Sequence, residues 1–365
     1  SKSFGFEEIK TPIIENLDLF KQNVGFETDV SKEMFSWEDS SNNYLALKPE
    51  MTAPVVRAFI ESGFFRSKPL CKLFYIDALF RREKPQKGRQ RQFHQFGVEA
   101  FGSSEIEQDI EVILIATKVL CHLGIDNTVL QINNIGNKDT RMLYQDKLSK
   151  YFTSYKSKLS KISLKRLEIN PLRILDSKEE IDLEIIDGAP LITEFLSKDE
   201  HSKYLNLISH LNALNISYQE NGRLVRGLDY YNSTTFEIST LSSKSQNALL
   251  GGGRYDYLVE SMGGPATPAV GFAAGIERLM IESNFTISKE KVDFFIGYES
   301  QSEKIMSIAN QLIDNGYNVF IDTLKKSEKS QIKSAIKLNA KYFLRINDKI
   351  ILKDLHSKKE FEVNS

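Results

Sequence analysis

The densest run of chemically useful side chains lies between Lys72 and Gly102, "KLFYIDALFRREKPQKGRQRQFHQFGVEAFG". Two alternating stretches flank a polar turn holding Pro85 and Gly88, the pattern of a β-hairpin with a long loop. Alternate residues of a strand share a face. On the returning strand Phe93, Gln95, Gly97 and Glu99 therefore point one way, and His94, Phe96, Val98 and Ala100 the other. On the outgoing strand Arg81 and Glu83 share a side with Asp77. A glutamine and a glutamate with a glycine between them leave room for a small polar ligand over the backbone. The same alternation also fits the solvent face of an edge hairpin. The loop tips the balance: from Arg81 to Arg91 six basic residues (Arg81, Arg82, Lys84, Lys87, Arg89, Arg91) face a single acid, Glu83, giving a local charge of +5 in a chain of net charge −1. Such a cluster attracts phosphates.

Two further stretches are rich in chemistry. In "LLGGGRYDYLVESMGGPATPAVGFAAGIERLM", Leu249 to Met280, the glycines Gly251, Gly252 and Gly253 permit close approach of another backbone or of a ligand. "AVGFAAGIERLM" reads as a strand of small residues running into a helix. The N-terminus of that helix would offer N–H groups to an anion, with Arg278 adding charge; a pair of packing glycines is the plainer alternative. In "GRLVRGLDYYNSTTFEI", Gly222 to Ile238, Arg226 stands near Asp229, Tyr230 and Tyr231 ahead of a threonine-rich strand. A surface ion pair between Arg226 and Asp229, beside two core tyrosines, fits that stretch equally well.

The elements that position these residues fall into three zones. From Phe6 to about Asn133 strand-like runs alternate with two helical ones, Leu45 to Ser62 (Val55, Val56 and Phe59 on the repeat) and Glu105 to Leu123 (Ile106, Ile110, Ile113, Leu114). About Lys138 to Ser217 is rich in Lys, Leu and Ser and reads as an inserted helical module, after which strands and glycines return. The last zone, Lys291 to Ser365, runs strand "VDFFIGY", helix Glu303 to Asn315, strand "YNVFID", helix Gln331 to Leu338, strand "KYFLRI". That β-α-β-α-β order implies a small α/β domain with parallel pairing, joined by Lys289-Glu290-Lys291. The chain of 365 residues is long enough for two or three domains and a substantial core. Its near-zero net charge means that any nucleic-acid site is a local patch. Cys71 and Cys121 form no CxxC, and the five histidines form no ligand-spaced cluster with them, which argues against structural zinc and a disulfide framework. The most apolar window, Glu111 to Ile125, is too short and is broken by Lys118 and His122, so no membrane span is expected. The start, "SKSFGFEE", lacks the apolar core of a signal peptide, and a cytoplasmic location is expected.

Taken in order, these stretches resemble class II aminoacyl-tRNA synthetases and, among them, the histidyl-tRNA synthetase family, over nearly the whole chain. "GFEEIKTPIIE" resembles the strand end of class II motif 1, "FRREKPQKGRQRQFHQFGVEAFG" motif 2 and "AVGFAAGIERL" motif 3; "PEMTAP" and "VRGLDYYNSTTFE" resemble the two histidine-specific signatures. The resemblance implies an α+β catalytic domain over 1–288, an antiparallel sheet flanked by helices with a helical insertion at about 138–217, followed by an α/β anticodon-binding domain over 291–365. It implies a homodimer with motif 1 at the interface. The family carries a helix ahead of "GFEEI" that is not in this sequence, which bears on dimer packing more than on ligand contacts.

The chemistry implied is a two-step ligation of histidine to tRNA(His), with ATP and its magnesium as substrate complex and no resident metal. In that comparison Arg81 holds the α-phosphate, Arg278 pairs with the γ-phosphate, and Arg226 stabilises charge developing across the α-phosphate. Phe93 stacks on adenine and Glu83 accepts from its amino group. Glu50 and Thr52 take the amino group of histidine, while Gln95, Glu99, Tyr230 and Tyr231 complete the pocket. Gln86, Lys87 and Arg89 meet the tRNA acceptor end. Two other readings share parts of the pattern. One is the catalytically silent regulatory subunit of ATP phosphoribosyltransferase; Arg226, the basic loop and the C-terminal domain speak against it. The other is a prolyl- or threonyl-type synthetase, against which "RGLDYY" and Glu99 argue.

Overall fold

A proline divides the first extended segment of the chain. Glu7–Glu8 (β1) and Ile14–Asn16 (β2) lie on either side of Pro12, whose ring removes a backbone donor, and they enter different sheets. These are seen in a computed structural model that describes residues 1–24, 29–84, 88–241, 248–284, 291–298, 302–347 and 349–363. With Ser36–Glu38 (β3) and Tyr44–Leu47 (β4), β2 makes a small antiparallel sheet of order β2-β4-β3. The stretch from Leu45 read as helical is thus extended as far as Leu47, and the helix covers only Thr52–Glu61. Pro49 explains the difference, because the residue before a proline is pushed away from helical geometry.

The main sheet adds Cys71–Phe80 (β5), Gln92–Phe101 (β6), Thr128–Asn134 (β7), Gln219–Glu220 (β8), Asn232–Thr240 (β9), Ala248–Arg254 (β10) and Ala269–Gly275 (β11). Its eight strands run β1-β5-β6-β11-β10-β9-β7-β8, parallel only at the two edges. The hairpin expected from alternation is β5–β6, in register from Cys71 opposite Phe101 to Phe80 opposite Gln92.

Parity sorts the two faces of this sheet. Phe74, Val98, Ala100, Phe236, Val270 and Phe272 point to one side, against apolar residues of the helices Ile106–His122 and Lys198–Ala213. The helix Lys198–Ala213, the last of the helical stretch, therefore packs on the sheet's own helical layer, burying Tyr204, Leu207 and Leu211 there. Leu73, Tyr75, Leu79 and Phe101 point to the other side, against Met51, Val55, Val56 and Phe59. The ring of Phe59 stacks on Phe101 at 4.4 Å between centroids. The remaining helices of the insertion, Lys138–Ser154, Lys161–Ile169 and Glu180–Asp187, share this second core through Tyr144, Leu148, Phe152, Ile185 and Ile186.

The polypeptide divides into two compact units, Ser1–Phe285 and Thr286–Ser365. In the second, Phe294–Gly297 (β12) pairs in parallel with Val319–Ile321 (β13) and Tyr342–Ile346 (β14). The helices Ser302–Asp314 and Glu328–Lys337 make the crossovers. Two strands absent from the sequence reading, Ile350–Asp354 (β15) and Glu360–Val363 (β16), extend the sheet as an antiparallel hairpin, giving the order β13-β12-β14-β15-β16. Of the expected linker, Lys289 and Glu290 lie outside the described residues.

Candidate active site

The sheet face opposite the Ile106–His122 helix opens into a cleft of about 380 Å³, within the usual size range of ligand sites. Its walls bring together Glu50, Thr52, Arg81, Glu83, Arg89, Phe93, Gln95, Arg226, Tyr230, Tyr231 and Arg278, residues drawn from all the stretches singled out in the sequence. Gln86 and Lys87 lie outside the described residues.

One end of the cleft is cationic. Arg81 follows β5 directly; its Nε donates to Pro49 O at 2.8 Å, and its guanidinium lies 5.2 Å from the centroid of the Phe93 ring. Glu83 balances it at 3.8 Å and Arg89 at 3.2 Å. Arg278 donates to Ala248 O at 2.7 Å. Burial, and then the neighbouring Arg89 and Arg81, push the Arg278 guanidinium below its ordinary pKa, so these three cations stand close enough to repel one another. An anion entering there relieves that repulsion. The first turn of the helix Ile276–Glu282 holds a carboxylate, Glu277, which accepts from His94 N at 2.9 Å, and Gly275, Glu277 and Arg278 at this end line the cleft.

The other end is buried and made of phenols and carboxylates. "PEMTAP" has a direct structural meaning here. Glu50 accepts from Thr52 N and Ala53 N, each at 2.8 Å, and so satisfies two of the free donors of the helix Thr52–Glu61; Pro54, in the same turn, has no N–H to satisfy. The Thr52 hydroxyl is left to donate to Glu99 Oε1 at 2.9 Å. Glu99, 1% exposed, also accepts from Tyr75 and Tyr255. Burial raises its pKa to about 8, against those hydrogen bonds.

Glu99 therefore lies beneath the floor of the cleft and is not on its wall. The room expected above Gly97 is filled by the ring of Tyr75, which a Cβ at Gly97 would strike. Gly271 leaves space for the Glu99 carboxylate in the same way. Tyr75 and Tyr255 went unnoticed in the sequence, although Tyr75 has the parity of Asp77 and Arg81. Asp77 itself turns away to the buried Lys48, at 2.7 Å.

Arg226 stands where the two ends meet. Its partner is Glu237 on β9, held in turn by the Ser239 hydroxyl at 3.0 Å. Asp229, the partner considered from sequence, instead binds Arg173 at 3.0 Å. Gly251 explains part of the glycine run, since a Cβ there would collide with the Arg226 guanidinium. Arg226 Nε is buried without a hydrogen-bond partner among the described residues. Buried polar groups in that state are destabilising by about 1–3 kcal/mol each, and a bound ligand can satisfy them. The insertion contributes Arg166, Arg173 and Asp176 to the same wall, which no motif had signalled. Among the described residues, no three or more His, Cys, Asp or Glu side chains are grouped to hold a metal ion, and no helix is long and apolar enough to cross a membrane.

Comparison with known proteins gives a consistent result. The family model described as histidyl-tRNA synthetase matches residues 1–140 and 178–279. The chloroplastic histidine–tRNA ligase of Gracilaria tenuistipitata var. liui is 43% identical over 352 residues, 95% of this chain and 84% of that protein. The histidine–tRNA ligase of Aquifex aeolicus is 42% identical over 363 residues, 98% of this chain and 90% of the relative. The crystal structure of apo S. aureus histidyl-tRNA synthetase superposes with a TM-score of 0.82 at 31% identity, covering 100% of this chain and 90% of that one.

Proposed function

From the premise that the chain belongs to the histidyl-tRNA synthetase family, with its class II fold and its histidine–tRNA ligase activity, we propose the following division of labour. In the first step the histidine carboxylate attacks the α-phosphorus of ATP. The bond to the β-phosphate oxygen breaks and pyrophosphate leaves. Arg81 holds the α-phosphate and Arg278 the γ-phosphate. Arg226 meets the charge that develops across the α-phosphate, a role for which its single carboxylate partner and free Nε leave it equipped. Phe93 stacks on adenine and Glu83 accepts from its amino group. Magnesium enters as part of the substrate, with ATP. In the second step the terminal ribose hydroxyl of the tRNA attacks the histidyl carbonyl and AMP leaves.

Histidine lies at the buried end. Glu50 and Thr52 receive its ammonium, and Gln95, Tyr230 and Tyr231 face its side chain. Glu99 acts from below, through Thr52. A pocket lined by polar groups that only an imidazole can pair rejects near-isosteres strongly. Gln86, Lys87 and Arg89 meet the acceptor end of the tRNA, and the unit Thr286–Ser365 reads the anticodon. Ile14 and Trp37, both exposed, share one face of the β2-β4-β3 sheet with Leu45 and Leu47, an apolar face suited to a second copy of the chain. A location in the cytoplasm, with its tRNA and ATP, completes the proposal.

The observation that carries it is the convergence of Arg81, Arg226 and Arg278 on one cleft whose far end is a phenol and carboxylate pocket. ATP–pyrophosphate exchange measured with each amino acid tests it. Exchange is expected with histidine and none with proline or threonine. Histidine binding without exchange would identify a regulatory paralogue instead.

A further inference from the structure

We infer that Arg141, in the first helix of the insertion, is a positioning residue for histidine recognition, setting the pose of the segment that carries Arg226, Tyr230 and Tyr231. Residues 221–231 form neither helix nor strand, so no ladder of backbone bonds dictates their course. Side chains from the insertion, together with Asn133 of β7, hold them instead. Arg141 Nη1 donates to the carbonyl of Asp229 at 3.2 Å and to that of Tyr231 at 2.6 Å, gripping the backbone on both sides of Tyr230. Asn170 and Arg173 secure the Asp229 carboxylate at 3.2 and 3.0 Å, and Arg173 also reaches Gly227 O at 3.2 Å. At the near end of the segment Arg223 Nε anchors to Ile186 O at 2.9 Å. The helical insertion is thus the frame on which the amino-acid end of the cleft is hung.

Arg141 is separated from the reacting groups by this segment and does not line the large cleft. It is the first of residues 141–177, the interval that the family model leaves unmatched between its two segments. Its effect on chemistry is indirect. Small displacements of positioned groups change rates disproportionately, and here one guanidinium holds the backbone on both sides of one phenol, Tyr230, and at a second, Tyr231.

This rests on the assignment of Tyr230 and Tyr231 to histidine. The test is steady-state pyrophosphate exchange by the full chain, with thermal denaturation of each variant. Arg141→Met keeps the stem and removes both donors. It should raise KM for histidine about tenfold or more and lower kcat, leaving KM for ATP within about twofold of the parent. Arg141→Lys, which retains charge but not the planar fork, should fall between the two. An unchanged KM for histidine in folded Arg141→Met overturns the inference, as does an equal rise in both KM values. If Arg141→Met does not fold, a KM for histidine equal to the parent's in Arg141→Lys overturns it. Tyr231→Phe run in parallel separates the two failures. If it raises KM for histidine while the Arg141 variants do not, the positioning role alone fails. If it leaves that KM unchanged, the assignment of the pocket fails first.

Discussion

The two ends of the cleft share one sheet face and run on opposite electrostatics. At the cationic end, arginines are held by a carbonyl, an aromatic ring or a single shared carboxylate, and repel one another. At the buried end Glu50 caps a helix, and Glu99 collects three hydroxyls. The first arrangement stores a demand for an anion. The second lowers the desolvation penalty of buried carboxylates enough for them to survive in a core, and fixes where any remaining acceptor points. Cationic charge and hydrogen-bonded carboxylates are thus kept apart on one scaffold, with Arg226 at their junction.

The largest expected effect comes from breaking that junction. Arg226→Ala should slow single-turnover adenylate formation about 10²–10³-fold, with a smaller change in histidine affinity. Arg226→Lys should rescue only in part, for want of the planar fork. A rate within a few-fold of the parent would remove Arg226 from the catalytic set. Gly251→Ala approaches the same group from behind. Its Cβ collides with the guanidinium, so the rate should fall about 10–10²-fold in a protein that still binds histidine.

A pair of milder variants sharpens the division between the ends. Arg278→Ala should raise KM for ATP about tenfold and spare KM for histidine, whereas Tyr231→Phe should do the reverse, by about three- to tenfold. Equal effects on both constants would mean that the two ends are not functionally separate.

The smallest effect concerns Glu99 and is one of pH. Burial holds its pKa at about 8 in the folded protein, against 4.5 as the unperturbed value, with Glu50, Tyr75 and Tyr255 facing it. Below about pH 4.5 it is protonated in both states. As pH rises toward 8 the unfolded chain releases the proton and the folded one retains it, so its contribution to stability declines, and above pH 8 it changes no further. Glu99→Gln imitates the protonated side chain. It should make the variant the more stable of the two at neutral pH and flatten the fall in Tm between pH 5 and pH 8. An identical Tm profile for parent and variant would show that Glu99 is ionised in the folded state.

Strand parity alone placed Phe93, Gln95 and Glu99 on one face of β6, because the two-residue repeat of an extended chain is local and leaves no choice. The helix Ile106–His122 and the strand-to-helix step at Gly275 were legible for the same reason: each is a pattern within a few neighbouring residues. Sequence order and residue type also sufficed for the family resemblance. What those patterns could not contain is the choice of partner. Arg226 has Asp229 three residues away, yet pairs with Glu237 across the turn into β9, while Asp229 is taken by Arg173 from the insertion. Likewise the space over Gly97 looks open along β6 and is filled by Tyr75 from β5. Local periodicity decides which side of the backbone a group leaves from. Which group it then meets at about 3 Å is decided by packing between segments tens of residues apart, where burial makes an unpaired charge too unfavourable to keep.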